Sequence, residues 1–187
     1  MAVGKTKLAI FDLDGTLFNT DNVNYKAYRE ALLPYGIELD REYFVKYCNG
    51  RHYKEFIPKI MGSTEHLEAI HDAKKDYYKK FLDEAVINKH LFAMIDAMRD
   101  TYYTAVVTTA SRKNVEDILG RFGVSDSFDY CITQEDIHKP KPDPEGFLLA
   151  MEHFGVTPAD SVIFEDSDVG IEAARASGAT VFVADKF

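Results

Sequence analysis

A pair of aspartates constrains this chain more than any other feature. Asp12 and Asp14 follow the apolar run Leu8-Ala9-Ile10-Phe11 inside FDLDGTL, residues 11–17. Burying one carboxylate without a partner is costly, and burying two side by side is worse. A strand that ends this way must therefore open onto solvent or meet a cation. Alternate strand residues share a face, so both aspartates are expected to project into the crevice outside the carboxyl ends of the strands, where open α/β sheets bind ligands. Gly15 then lets the chain turn away sharply.

The rest of the sequence supplies such a sheet. Strand-like runs occur at Leu8 to Phe11, Ala105 to Thr108, Tyr130 to Thr133, Ser161 to Phe164 and Thr180 to Ala184. Helices are expected at Asn114 to Phe122, Pro144 to Phe154 and Val169 to Ser177; Gly123 and Gly178 stand where a C-terminal glycine belongs. Strands alternating with helices imply a Rossmann-like, doubly wound parallel sheet of the α/β class. Between Thr20 and His90 the pattern changes to mixed stretches rich in Tyr, Lys and Glu with no strand signal, broken at Pro34-Tyr35-Gly36 and Met61-Gly62. This reads as a helical insertion, giving a core of residues 1–20 and 91–187 and a cap of residues 21–90. Charge divides the same way. Residues 21–90 hold 12 basic and 12 acidic side chains and the remainder 10 and 19, so the acidic excess lies wholly outside the insertion.

With 46% hydrophobic residues, the 187-residue chain can bury one sizeable core with a small appended unit. The formal net charge of −9 argues against nucleic-acid or anionic-membrane binding, both of which need a basic surface. Cys48 and Cys131 form no CxxC pair, so neither a disulfide framework nor a zinc site is expected, and a cytoplasmic setting follows. No signal peptide or apolar span is read, and no protein partner is expected.

A second acidic cluster, Glu165-Asp166, follows Val162-Ile163-Phe164 just as Asp12 follows the first strand, and Ser167-Asp168 caps the next helix. Three carboxylates on one sheet edge repel by roughly 12 kcal/mol, taking about 4 kcal/mol per close pair at an effective dielectric near 20. A divalent cation relieves that repulsion, and an oxygen-only ligand set favours Mg²⁺ where phosphate is also bound. An anion site is suggested by Thr108-Thr109-Ala110-Ser111 at a strand-to-helix turn. Lys139, in Lys-Pro-Lys-Pro-Asp-Pro, is expected to bring a fixed positive charge to the same edge, while Lys141, two residues on, reads as a surface charge. His66 and His71 are five apart, off one helical face, and make no metal box. Tyr25, Tyr28, Phe44, Tyr47 and Phe56 read as cap packing.

Taken together, these motifs resemble the haloacid dehalogenase-like phosphohydrolases, in the group of β-phosphoglucomutase and phosphoglycolate phosphatase. The resemblance rests on Asp12-Leu13-Asp14-Gly15-Thr16-Leu17, Thr109, Lys139 with Pro140 and Pro142-Asp143, and Glu165-Asp166 in FEDSDVGIEAARASGA, in that order. It implies Asp12 as the nucleophile that forms an aspartyl phosphate and Asp14 as general acid and base. Mg²⁺ would be held by Asp12, Asp166, the backbone carbonyl of Asp14 and, directly or through water, Glu165. Thr109 and Lys139 would hold the transferring oxygens, with Ala110 and Ser111 beside them. The loop Asn49-Gly50-Arg51-His52 partly resembles the family's cap recognition loop, which makes Gly50 and Arg51 candidate substrate contacts.

The implied activity is Mg²⁺-dependent hydrolysis of a small phosphorylated metabolite, a sugar phosphate or a phosphoglycolate-like compound. A phosphomutase shares this core. Asn24, where β-phosphoglucomutase-like proteins carry a histidine, weighs against it. A non-catalytic phospho-ligand binding module would not need all four motifs. The cap is expected to close over the site, hinging near Phe18 to Asp21 and near Asn88 to Leu91.

Overall fold

A computed structural model describes residues 4–184 and 187. In chain order the elements are β1 (Lys7–Phe11), β2 (Phe18–Asn19), α1 (Asp21–Leu32), α2 (Arg41–Tyr47), α3 (Tyr53–Met61), α4 (Leu67–Lys80), β3 (Val86–Ile87), α5 (Lys89–Met98), β4 (Tyr102–Val107), α6 (Arg112–Phe122), β5 (Tyr130–Ile132), α7 (Glu145–Phe154), β6 (Ser161–Glu165), α8 (Asp168–Ala176) and β7 (Thr180–Val183). All five expected strands are present, and they form one parallel sheet in the order β5-β4-β1-β6-β7.

β1 lies at the centre of the sheet, flanked by β4 and β6, so its side chains are buried on both faces. Ala9 and Phe11 join one apolar cluster with Val106, Phe164 and residues of α5 and α6. Leu8 and Ile10 point to the opposite cluster, with Ala105, Val107, Ile163 and residues of α7 and α8. Each large side chain so buried contributes about 1.5–3 kcal/mol, which explains why the strand tolerates polar residues only once it has ended.

The strand order changes direction at β1, and a chain that switches this way leaves a crevice beyond the strand ends. Register fixes what sits there. Phe11 pairs with Val106 on β4 and with Phe164 on β6, so the residues after these three strands emerge side by side.

Residues 21–80 are helical apart from their connections, with a third apolar cluster of their own that includes Tyr28, Leu32, Phe44, Phe56, Ile57 and Ile70. Tyr28, Phe44 and Phe56 pack as expected, whereas Tyr47 is exposed at the end of α2. One feature of this stretch lacked a sequence signal. Val86 and Ile87 form a two-residue strand antiparallel to Phe18 and Asn19, so the outgoing and returning chain segments are hydrogen-bonded to each other. A pairing this short carries no readable alternation. Among the described residues, no helix is long and apolar enough to cross a membrane.

Candidate active site

Asp12 is the first residue after β1, and its backbone N–H donates to Phe164 O on β6. That bond holds it against the end of the neighbouring strand, where Glu165 and Asp166 follow. Carboxylate oxygens of Asp12, Glu165 and Asp166 lie within 4.8 Å of one another. Asp12 is 6% exposed and Glu165 fully buried.

The cation facing this cluster is Lys141. Its Nζ donates to Asp12 Oδ1 and to Glu165 Oε1, both at 2.6 Å, and to Val107 O at 3.2 Å. The stem passes over the Phe147 ring, with Nζ 5.2 Å from its centroid. The expectation for Lys139 is thereby corrected, as is the reading of Lys141 as a surface charge. Lys139 is exposed, its backbone N–H donates to Glu145 Oε2, and its Nζ lies 3.9 Å from Asp143 Oδ2. Both lysines precede a proline, so their order in sequence does not tell which one turns inward. Glu145 accepts from the backbone N–H groups of His138 and Lys139 at the outer end of the loop, while Asp12, Glu165 and Val107 O hold Lys141 at the inner end.

The remaining carboxylates are held by separate partners. Asp166 Oδ1 accepts from Thr16 Oγ1 at 2.8 Å. Glu165 Oε2 accepts from the backbone N–H of Ser167 and its hydroxyl. Two glycines make room for them: a Cβ on Gly15, whose φ is +90°, would overlap the Asp166 carboxylate, and one on Gly170 would overlap that of Glu165. Gly15 therefore serves close approach as well as the turn.

Asp14 points elsewhere. Its Oδ1 accepts from Asn24 Nδ2 at 3.0 Å and from Thr20 Oγ1, both contributed by the start of α1. The three-carboxylate group does not include its side chain. Asp14 instead borders two cavities, one extending under α3 and α4 and the other toward Asp166 and Ser167. Gly50 and Arg51 border both, and Thr109, Ala110 and Ser111 border the first.

The Thr109 turn is partly self-satisfied. The Ala110 N–H donates to Thr108 Oγ1, and Ser111 is buried as the cap of α6, accepting from Asn114 N–H. Ser111 thus positions the turn, while Thr109 remains half-buried at the cavity wall.

Electrostatics follow from this geometry. Burial raises the Asp12 carboxyl well above the usual carboxylate range, and Glu165 and Asp166 push it the same way, with Lys141 opposing. Asp166 is raised to about 6, chiefly by burial and then by Glu165, against the lowering effect of Thr16. Lys141 is held protonated by Asp12 and Glu165 in spite of its burial. Three carboxylates face one ammonium, so the cluster is short of positive charge. Its donors are all oxygen, a set suited to a hard divalent cation such as Mg²⁺. Asp12 and Asp166 would hold it, with Glu165 third.

Three further side chains border the first cavity: Lys74 on α4 and Gln134 after β5, neither singled out by a sequence motif, and His71 on α4, weighed from the sequence only as a metal ligand. Gln134 Nε2 lies 2.7 Å from His71 Nε2, and His71 stacks on Tyr53 at 3.7 Å. Burial lowers His71 to about 3, so it is neutral. On α4, Ile70, His71, Lys74 and Tyr78 fall on one helical face and all four are buried.

Comparison with known proteins gives a consistent picture. Residues 9–184 match the family described as haloacid dehalogenase-like hydrolase. The chain is 29% identical over 171 residues to the fructose-1-phosphate phosphatase of Escherichia coli, covering 90% of this chain and 91% of the relative. It is 28% identical over 176 residues to the phosphorylated carbohydrates phosphatase of Thermotoga maritima, covering 90% and 80%. Among solved structures, CbbY from Rhodobacter sphaeroides in complex with phosphate aligns with a TM-score of 0.88 at 27% identity, covering 97% of this chain and 87% of that chain.

Proposed function

This chain belongs to the haloacid dehalogenase-like hydrolase family, and on that premise we propose that it is a Mg²⁺-dependent phosphatase of small phosphorylated metabolites, phosphorylated carbohydrates foremost, acting through an aspartyl phosphate on Asp12. The observation that carries the reading is the division of labour between the two aspartates. Asp12 is clamped by Lys141 within the carboxylate cluster, and Asp14 is turned to the cavity by Thr20 and Asn24.

Lys141 engages Asp12 Oδ1, and among the described residues no donor engages Oδ2. Oδ2 is the oxygen left to attack phosphorus, while the ammonium offsets charge on the other. Covalent capture splits one slow hydrolysis into two easier steps. When bound, Mg²⁺ supplies charge neutralisation between an anionic nucleophile and an anionic phosphoryl group. Asp14 protonates the leaving oxygen and later takes a proton from the attacking water. The hydrogen bonds from Thr20 and Asn24 to Oδ1 orient the carboxyl so that Oδ2 is the atom exchanging the proton. Thr109 borders the same cavity as Asp14, which supports its role in holding the transferring oxygens.

Residues 21–90 act as a cap that excludes bulk water during transfer. Hydrolysis is favoured over mutase chemistry because Asn24, an amide without a titratable proton, meets Asp14 where the mutase-like proteins carry a histidine. The relatives of E. coli and T. maritima, named for fructose 1-phosphate and phosphorylated carbohydrates, support the substrate class.

The test is a screen of phosphorylated sugars and short phosphorylated acids with Mg²⁺ present and then chelated. Metal-dependent release of inorganic phosphate is expected. Interconversion of sugar phosphate isomers without phosphate release would overturn the reading in favour of a mutase.

A further inference from the structure

Resting on the phosphatase reading, we propose that Gln134 is a positioning residue that couples the seating of the cap to the Thr109-Ala110-Ser111 turn. Gln134 follows β5 and reaches in two directions. Its backbone N–H donates to Ala110 O at 3.1 Å, in the turn that borders the cavity shared with Asp14. Its side-chain Nε2 lies 2.7 Å from His71 Nε2 on α4 and 3.4 Å from Glu135 Oε1. An amide nitrogen only donates, so the neutral ring accepts through Nε2 and carries its proton on Nδ1.

Both ends of this link are braced. On the cap side the His71 ring stacks on Tyr53 of α3, and the Tyr53 hydroxyl donates to Glu68 Oε2 at 3.0 Å. On the core side Glu135 Oε2 accepts from the backbone N–H of Arg112, the first residue of α6. One side chain thus ties two cap helices to the turn that opens α6. Among the described residues, the other polar contacts between α4 and the core involve Lys113 and Asp117, which meet Lys75 O, Asp76 and Lys79 nearer the C-terminal end of α4. Ion pairs at such a surface are weakened by water. His71 precedes the last residue of α4, Lys80, by roughly 14 Å of helix. Opening of the cap about β2 and β3 therefore parts His71 from Gln134 widely. A purely structural link would fasten the cap and leave the chemical step of the folded protein untouched.

A double-mutant cycle separates these cases. Gln134→Met removes the donor and keeps the length of the side chain and its backbone bond to Ala110 O, while His71→Phe removes the acceptor and keeps a ring on Tyr53. With Mg²⁺ and a substrate that the parent hydrolyses, each variant is expected to lower kcat about three- to tenfold, the worth of one neutral hydrogen bond, with KM changed by less than about twofold. The double variant should be no slower than the singles, because both remove the same bond. Gln134→Ala replaces the methionine variant if that protein does not fold.

A second readout is independent of turnover. Inorganic phosphate is expected to slow amide hydrogen exchange of residues 67–74 in the parent and to lose that effect in Gln134→Met. Such Gln134-dependent protection, in a protein that releases no phosphate from any ester, would sink the phosphatase reading and leave the coupling standing. An unchanged or raised kcat in the single variants, additive losses in the double variant, or protection that is equal in parent and Gln134→Met or absent from both would overturn the coupling alone.

Discussion

Lys141 Nζ lies 2.6 Å from Asp12 Oδ1 across 129 residues of sequence, and the same ammonium lies 2.6 Å from Glu165 Oε1. Lys141→Met leaves two buried carboxylates without their cation. Removing one partner from a buried pair costs about 3–5 kcal/mol, so a clear fall in melting temperature is expected in metal-free protein, together with loss of phosphate release by two or more orders of magnitude. Lys139→Met, at an exposed position, should stay within about 0.5 kcal/mol of the parent. Thermal melts and steady-state kinetics on both variants distinguish the two lysines.

Gly170 packs so closely on Glu165 that a methyl group has no room. Gly170→Ala is expected to cost about 1–3 kcal/mol through overpacking, although alanine favours a helix elsewhere. Displacing Glu165 also loosens Lys141, so kcat should fall with stability. Urea unfolding with parallel assays tests the link. Unchanged kcat alongside a measurable loss of stability would separate Glu165 from the alignment of Lys141.

These two positions show what was legible in the sequence. The sheet, its alternating helices and the convergence of Asp12 with Glu165-Asp166 follow from short apolar runs and the residues that end them, and period-2 burial makes such runs readable. The choice between Lys139 and Lys141 was not legible, because it depends on how one loop turns toward carboxylates distant in sequence, Asp12 and Glu165. Contacts such as Asn24 to Asp14 and Thr16 to Asp166 join elements that no local pattern pairs. Lys74 and His71 were hidden for another reason: a lysine or histidine in a polar helix reads as solvated until the opposing surface is known.

His71 gives a pH prediction. Its pKa falls to about 3 in the folded chain, through burial first and Lys74 and Lys75 next, from an ordinary 6.5. The unfolded chain therefore binds the proton that the native one refuses, and this group's contribution to stability is lost as pH falls below 6.5. Between pH 6.5 and 4.5 the loss is about 2–3 kcal/mol at most. Chemical denaturation of the parent and His71→Gln at pH 7 and pH 4.5 should show a smaller acid loss in the variant; equal losses would mean that His71 titrates normally.

Thr20 and Asn24 both donate to Asp14 Oδ1 and so fix the direction of its carboxylate. Asn24→Ala frees one bond to Oδ1, and the expected result is a fall in kcat of roughly tenfold with KM little changed, since positioning losses appear in the chemical step. Asn24→His places a titratable ring beside Asp14, and assays for sugar phosphate isomerisation then show whether that position divides hydrolase from mutase behaviour.

The central claim is that Asp12 captures the phosphoryl group, and the most direct measurement is phosphate release by Asp12→Asn protein with Mg²⁺ on a substrate the parent hydrolyses. The amide keeps the shape of the side chain and removes its charge, so near-ultraviolet circular dichroism should match the parent. The account predicts that release falls to background in this folded variant. Release at a rate comparable with the parent would contradict it.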